Sequence, residues 1–240
     1  MFKQKSILLL LVLTASVAWG QEGIKKAARP NIPGNFILDL GVNRGLSRPA
    51  NFSQGFWGSR TLNLYYQYPI RFGKSKFSFA PAVGISMERF KFTNNAVLQD
   101  AIETTDPVVQ YNLVSGSSLF PGIKKSMLVS NYLEAPMEFR FDTRPNDRAR
   151  SFSVAIGGRI GILASSGLKV KYREDGENVK FKDKRSYGLN PIRYGVYTRI
   201  GIGGFNWFAF YNLSEMFETD KGPNGTTMNT MTIGVSIASF

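Results

Sequence analysis

Apolar and polar residues alternate with a period of two along most of the chain. In the segment 60–72, for example, Leu62 and Leu64 alternate with Thr61 and Asn63. This period places apolar side chains on one face of a β-strand and polar side chains on the other. The pattern predicts eight strands. They lie at about 36–42, 60–72, 77–88, 129–141, 152–162, 192–202, 206–214 and 226–240.

The connections between the predicted strands alternate in length. The odd-numbered connections are 45–59, 93–125, 164–189 and 215–225, and the even-numbered ones are 73–76, 143–150 and 203–205. Every odd connection is longer than every even one, which is typical of outer-membrane barrels, whereas a soluble β-sandwich needs no such parity. The sequence therefore predicts an all-β fold: an eight-stranded antiparallel transmembrane β-barrel over 35–240, with short periplasmic turns and long external loops.

The polar faces of the predicted strands carry five acidic residues and five arginines. The interior of an eight-stranded barrel is only wide enough to be filled by side chains. Isolated charges in such an interior are costly, so we predict that these ten residues pair and fill the lumen. The alternative is a charged permeation path. The predicted lumen charge network comprises Asp39, Arg71, Glu88, Glu134, Glu138, Arg140, Asp142, Arg159, Arg193 and Arg199.

Residues 1–20 have the features of a cleaved secretory signal peptide. Two lysines precede an unbroken apolar run at 7–13, and small residues stand before Gln21. The apolar run is shorter than the roughly 20 residues that a membrane-spanning helix needs. We therefore predict export to the bacterial outer membrane, with residues 21–34 as a periplasmic lead-in; an uncleaved anchor is the alternative.

The composition restricts the chemistry that the chain can perform. Its 240 residues include no cysteine and no histidine, so disulfides, thiolate ligands and a histidine proton shuttle are excluded. A Ser–Lys pair or paired carboxylates would remain. Glu134 and Glu138, however, stand four residues apart on one strand face, about 13 Å by strand rise, which is too far for a catalytic dyad. We predict no enzymatic activity, no cofactor and no metal.

The net charge of +13 requires an explanation at the surface of the barrel. Export argues against nucleic acid as the partner. The third external loop is rich in basic residues, and Asp175-Gly176 predicts that residues 169–184 form a hairpin. This loop can contact outer-membrane lipids such as lipopolysaccharide through their phosphates, or an acidic partner, or remain solvated. Its basic residues are Lys169, Lys171, Arg173, Lys180, Lys182, Lys184 and Arg185.

Aromatic residues near the predicted strand ends are candidates for the girdles that mark membrane edges. Amphipathic aromatic rings are enriched at both interfaces of transmembrane barrels. The candidates are Phe56, Trp57, Trp207, Tyr211 and Phe217.

The strand at 131–139 carries a short motif. It reads NYLEAPMEF and resembles the "YLEIP" strand of the PorT-like small outer-membrane β-barrels of Bacteroidota. Ala135 replaces the usual isoleucine, and Glu138 enters a usually apolar stretch. Residues 155–161 are similar to the next strand of that family, and the order of strands covers nearly the whole mature chain.

The resemblance implies an outer-membrane location and a barrel fold. The name-giving members of the family serve the type IX secretion and gliding apparatus. It therefore implies a non-enzymatic accessory component of type IX protein secretion, with secretion-machinery proteins as partners. Two alternatives remain open: a small porin or solute channel, and a free-standing structural or surface-binding barrel.

Overall fold

The computed structural model describes residues 34–49, 51–101 and 110–239. The predicted signal peptide, and the predicted lead-in except Gly34, lie outside these residues. Within them, no helix is long and apolar enough to cross a membrane. The chain forms helix α1 (Gly116–Leu119) and strands β1 (Asn35–Leu46), β2 (Arg60–Gln67), β3 (Ile70–Arg71), β4 (Phe77–Phe92), β5 (Ala96–Asp100), β6 (Tyr111–Ser115), β7 (Lys125–Asp142), β8 (Phe152–Glu174), β9 (Glu177–Asp183), β10 (Ile192–Ile202), β11 (Phe205–Asn212) and β12 (Asn229–Ala238).

Eight of these strands close into an antiparallel barrel. The order around the barrel is β1, β2, β4, β7, β8, β10, β11 and β12, and β3 pairs with β4 beyond the end of β2. Closure comes from β12, which pairs with β1 from Ala238 opposite Ile37 to Asn229 opposite Leu46. The prediction of an eight-stranded antiparallel transmembrane β-barrel is confirmed.

The two faces of the barrel wall have opposite chemistry. On β8, Ile156 and Ile160 point outward and are 67% and 48% exposed, whereas Ala155 and Arg159 point inward and are almost fully buried. A barrel with apolar residues outside and polar residues inside is stable when lipid, and not water, surrounds it. The period-two pattern therefore separates a lipid-facing surface from a lumen.

The connections differ at the two rims as the sequence predicts. At one rim they are short and span 72–76, 143–151 and 203–204. At the opposite rim they are long and span 47–59, 93–124, 175–191 and 213–228. Following the usual orientation of such barrels, we name these the periplasmic rim and the external rim.

Strand β8 continues beyond the barrel and forms a hairpin with β9. Its turn residues Asp175 and Gly176 both have positive φ angles, 48° and 85°, as a tight hairpin turn requires. The predicted hairpin over 169–184 is thus present. A bulge lies lower on β8, because Asn131 pairs with Ser165 but Tyr132 pairs with Leu163. The extra residue reverses the parity of the strand, so odd-numbered positions face outward above the bulge.

Candidate functional site

The upper half of the lumen is filled by a cluster of four charged residues from four strands. Arg193 on β10 pairs with Glu88 on β4 at 2.8 Å and donates to Glu134 on β7 at 2.6 Å. Arg159 on β8 pairs with the other oxygen of Glu134 at 3.3 Å. All four side chains are at most 5% exposed. We call these residues the upper cluster.

A second set of charges lies nearer the periplasmic rim. Arg199 on β10 bridges Glu138 on β7, at 2.7 Å, and Asp39 on β1, at 3.3 Å. Glu138 also accepts hydrogen bonds from Gln67, at 2.8 Å, and from Tyr197, at 3.1 Å. Buried ions are tolerated when pairing and additional hydrogen bonds satisfy them together. We call Asp39, Glu138 and Arg199 the lower cluster.

Aromatic rings and one glycine complete the upper cluster. The guanidinium of Arg159 lies 4.0 Å from the ring centre of Phe210, and that of Arg193 lies 4.1 Å from Tyr132. Opposite Glu134 stands Gly161, where a Cβ would lie 2.9 Å from Glu134 Cγ. A side chain at Gly161 would therefore displace the carboxylate that both arginines use.

The three remaining members of the predicted network lie close to the periplasmic rim. Arg140 pairs with Asp142 at 3.1 Å and donates to Ser153 at 3.0 Å, all buried. Arg71, in contrast, is only partly buried and donates to Asn146 at 2.7 Å. Arg71 takes part in none of the ion pairs that the described residues form. Its strand, β3, is only two residues long and leads directly into the turn at 72–76, so Arg71 stands at the rim and not inside the lumen.

A hydrophobic cluster lies at the external end of the barrel, above the charges. We call it the external cap. The inward positions of β4, β7 and β8 change there from charged to apolar, and residues of all four external loops pack against them. The hydroxyl of Ser126 on β7 donates to the carbonyl of Ala96 on β5 at 2.5 Å, which holds the β5–β6 hairpin to the wall. The buried members are Phe52, Phe90, Phe92, Ala96, Val97, Leu98, Tyr111, Leu113, Leu128, Leu168, Val170, Tyr187, Leu189, Met216, Phe217 and Met228.

The external cap corrects one sequence prediction. Phe217 was expected in an aromatic girdle, but its side chain is fully buried in the cap. The other candidates are exposed on the outer surface: Trp57 is 79% exposed and Trp207 58%, with Phe56 and Tyr211 also exposed. Phe217 follows β11 within the loop 213–228, where strand parity gives no information about its direction.

The arginines and the lysines of the predicted basic loop differ in the contacts that they make. Arg185 pairs with Asp183 at 2.8 Å and with Asp100 at 2.9 Å, and thereby ties the end of β9 to β5. The hydroxyl of Tyr187 donates to Asp183 at 2.7 Å; this hydrogen bond, together with Arg185, holds the pKa of the Asp183 carboxyl below its usual value. Arg173 donates to the carbonyl of Gly176 and stabilises the hairpin turn. The lysines of the loop take no part in these contacts.

The described side chains therefore occupy the lumen from the periplasmic rim to the external cap. Among the residues that the structure describes, no group of three or more acidic, histidine or cysteine side chains could hold a metal ion. The carboxylates of both clusters are occupied by arginines. Chemically, the lumen is suited to holding the barrel together, and the surfaces available to other molecules are the rims and the outer wall.

Comparisons with known proteins give a family match and several similar barrels. A family model described as an outer membrane protein beta-barrel domain matches residues 31–215. Among solved structures, the chain is similar to Ail, the attachment invasion locus protein of Yersinia pestis, with 14% identity, coverage of 87% of this chain and 100% of that chain, and a TM-score of 0.38. Neisserial surface protein A shows 11% identity, coverage of 86% and 96%, and a TM-score of 0.35. The N-terminal β-barrel domain of Pseudomonas aeruginosa OprF shows 9% identity, coverage of 86% and 98%, and a TM-score of 0.29. No curated protein matches.

Proposed function

Since the chain belongs to the outer membrane protein beta-barrel domain family, we propose that this small bacterial outer-membrane barrel is a non-enzymatic, non-conducting component of a membrane assembly, accessory to type IX protein secretion. The observation that carries the non-conducting part of the proposal is the double occlusion of the lumen. Two ion-paired clusters fill its middle, and the external cap covers its outer end. A barrel without a free bore acts through its rims and its outer wall.

The secretion role is supported by the resemblance of the motif at 131–139 to a strand of secretion barrels. Within residues 131–139, Glu134 and Glu138 point inward and belong to the upper and lower clusters, whereas Leu133 and Met137 point outward and are exposed. The motif thus contributes to the stability of the lumen. In our proposal, contacts with secretion-machinery proteins are made by the rims, where sequence is free of that constraint.

Deletion of the gene tests the secretion role. We expect the secreted proteome of the source strain to lose many exported proteins when the gene is absent, because an accessory component is needed for the assembly to work. The measurement is quantitative mass spectrometry of culture supernatants, with re-expression of the wild-type chain as the control. An unchanged secretome would remove the secretion role and leave two alternatives, a small porin or solute channel and a free-standing surface-binding barrel.

Electrical recording tests the non-conducting part independently. The purified barrel, reconstituted in a planar bilayer, is expected to give no reproducible single-channel steps, because ion-paired side chains and the external cap leave no continuous water path. A porin of known conductance, inserted in the same bilayer, is the positive control. Reproducible steps of one size would instead support the small porin or solute channel.

A further inference from the structure

The outer wall of the barrel becomes basic just above its apolar band. On β4, the outward residue Met87 is followed two positions later by Arg89. Strands β7, β8 and β9 continue the same surface with outward lysines. We call these residues the basic ledge: Arg89, Lys125, Lys169, Lys171, Lys180 and Lys182.

The strand register places the lysines of the ledge directly beside one another. Lys171 lies opposite Lys125 on one side and opposite Lys180 on the other, and Lys169 lies opposite Lys182. Directly opposed residues have Cβ atoms about 5 Å apart, and like charges in such pairs are destabilising. The described ion pairs involve no member of the ledge. Within the part of the chain that the structure describes, the fold thus keeps five lysines together without an ion-pair partner.

A groove lies among these side chains. It has a volume of about 300 Å³ and is lined by all six residues of the ledge, with Met127 beside them. An adjoining groove of about 360 Å³ shares Lys169 and Lys182 and reaches down to Asn131 and Ser165. On the outer surface, the side-chain amide of Asn131 donates a hydrogen bond to the hydroxyl of Ser165 at 2.8 Å. Along β7, Asn131 is the next outward-facing residue above the exposed Leu133. The grooves therefore lead from the external rim to the lipid-facing band.

We infer that the basic ledge binds the phosphorylated sugar headgroup of lipopolysaccharide in the outer leaflet. Charge complementarity requires an anion, and the groove opens toward the membrane, which favours a lipid over a protein. From Arg89 at the edge of the band to the level of Lys125, the cations extend over four residues, about 13 Å along the strand. Phosphates carried on sugars above the acyl chains match this extent better than a single phosphodiester at the bilayer edge.

The basic ledge differs in its residues from the basic loop that the sequence predicts, and its proposed binding of lipid does not depend on a role in secretion. The ledge includes Arg89 of β4 and Lys125 of β7, although neither residue belongs to the loop. The ledge does not include Arg185 and Arg173 of the loop, because their guanidinium groups make the contacts that hold the hairpin. The bulge at Ala164, which the β7–β8 register skips, is the reason that Lys169 and Lys171 face the membrane side and not the lumen.

Native mass spectrometry of the full chain in detergent tests the site. The probe is rough lipopolysaccharide with its phosphates, compared with the same glycolipid after removal of the phosphates and with phosphatidylglycerol. We expect one tightly bound phosphorylated molecule per barrel, and at least tenfold weaker binding of the other two lipids. The triple variant K125Q/K169Q/K171Q is expected to lose at least tenfold in affinity for the phosphorylated glycolipid.

A matched variant separates a site from the overall charge. K74Q/K76Q/R144Q removes the same charge at the periplasmic rim and is expected to bind like the wild type. Equal losses in both triple variants, or equal binding of phosphatidylglycerol, would overturn the inference in favour of unspecific attraction. Absence of binding by the wild type would overturn it in favour of an acidic protein partner. An unchanged shift in gel mobility between unheated and heated samples controls for folding of both variants.

Discussion

Replacing Glu134 with alanine is expected to lower the free energy of unfolding by about 3–5 kcal/mol, the usual cost of removing one partner from a buried ion pair. Arg159 would lose its carboxylate partner, since Glu134 is the acid with which it pairs in the upper cluster. Arg193 would keep Glu88 as its acidic partner and Ser86 as a neutral hydrogen-bond acceptor, and the hydroxyl of Tyr65 would lose the carboxylate to which it donates. The measurement is urea unfolding of the barrel in lipid vesicles, followed by tryptophan fluorescence.

A second substitution distinguishes the cost of an unpaired charge from the cost of a cavity. Adding Arg159→Met to Glu134→Ala is expected to recover about 1–2 kcal/mol, because the uncompensated guanidinium is then gone and a methionine can pack on Phe210. The exposed pair between Arg150 and Asp147, at 3.9 Å, gives the matched control. Asp147→Ala should change the stability by at most about 0.5 kcal/mol. An unfolding midpoint unchanged by Glu134→Ala would mean that water reaches the upper cluster.

The strand pattern was sufficient to predict the barrel because one physical rule applies along its whole length. Lipid outside and a narrow lumen inside require every membrane-crossing residue to obey the same alternation. Asp39 on β1 and Arg199 on β10 are distant in sequence, yet both fall on inward positions and meet in the lower cluster. The alternation along each strand is sufficient to predict that both side chains point into the lumen. It could not specify which acid meets which arginine, because that depends on the stagger between neighbouring strands.

Two features lay beyond the reach of that rule. The bulge on β8 shifts the parity by one residue, and nothing in Ala164 or Ser165 identifies them as its position. The external cap draws on loop residues such as Phe52 and Leu189, where no strand period exists. For the same reason, Phe217 was wrongly expected at the membrane edge. Above the bulge, register and tertiary packing decide the positions of side chains, and these contacts are non-local.

The cap and the charged clusters also differ in the part of the fold that each one stabilises. The clusters join strands of the barrel wall, so that their loss weakens the whole barrel. The cap joins loops to the ends of β4, β7 and β8, and its opening leaves the ladder of barrel hydrogen bonds intact. Segments with such partial attachments open locally, at free energies below that of global unfolding. The two levels of occlusion can therefore be tested separately.

Replacing Phe217 with alanine is expected to lower the stability of the cap by about 3–5 kcal/mol, as for other buried aromatic side chains. Phe217 is fully buried, and the neighbouring amides of Met216 and Glu218 donate to the carbonyls of Met228 and Gly188. Hydrogen–deuterium exchange of peptides from 213–228 should accelerate by about a hundredfold or more, because exchange there follows local opening. Peptides from β10 should keep their protection.

The matched control and a conductance measurement decide what the cap contributes to closure. Trp57→Ala removes a larger aromatic side chain that is 79% exposed, and it should leave the exchange of 213–228 unchanged. Rapid exchange of these peptides in the wild type would show that the cap is not packed. Bilayers containing the Phe217→Ala protein should still lack channel steps, because Arg193 and Arg199 continue to fill the lumen below. Steps that appear only in this variant would make the cap the sole seal of the barrel and the charged clusters purely structural.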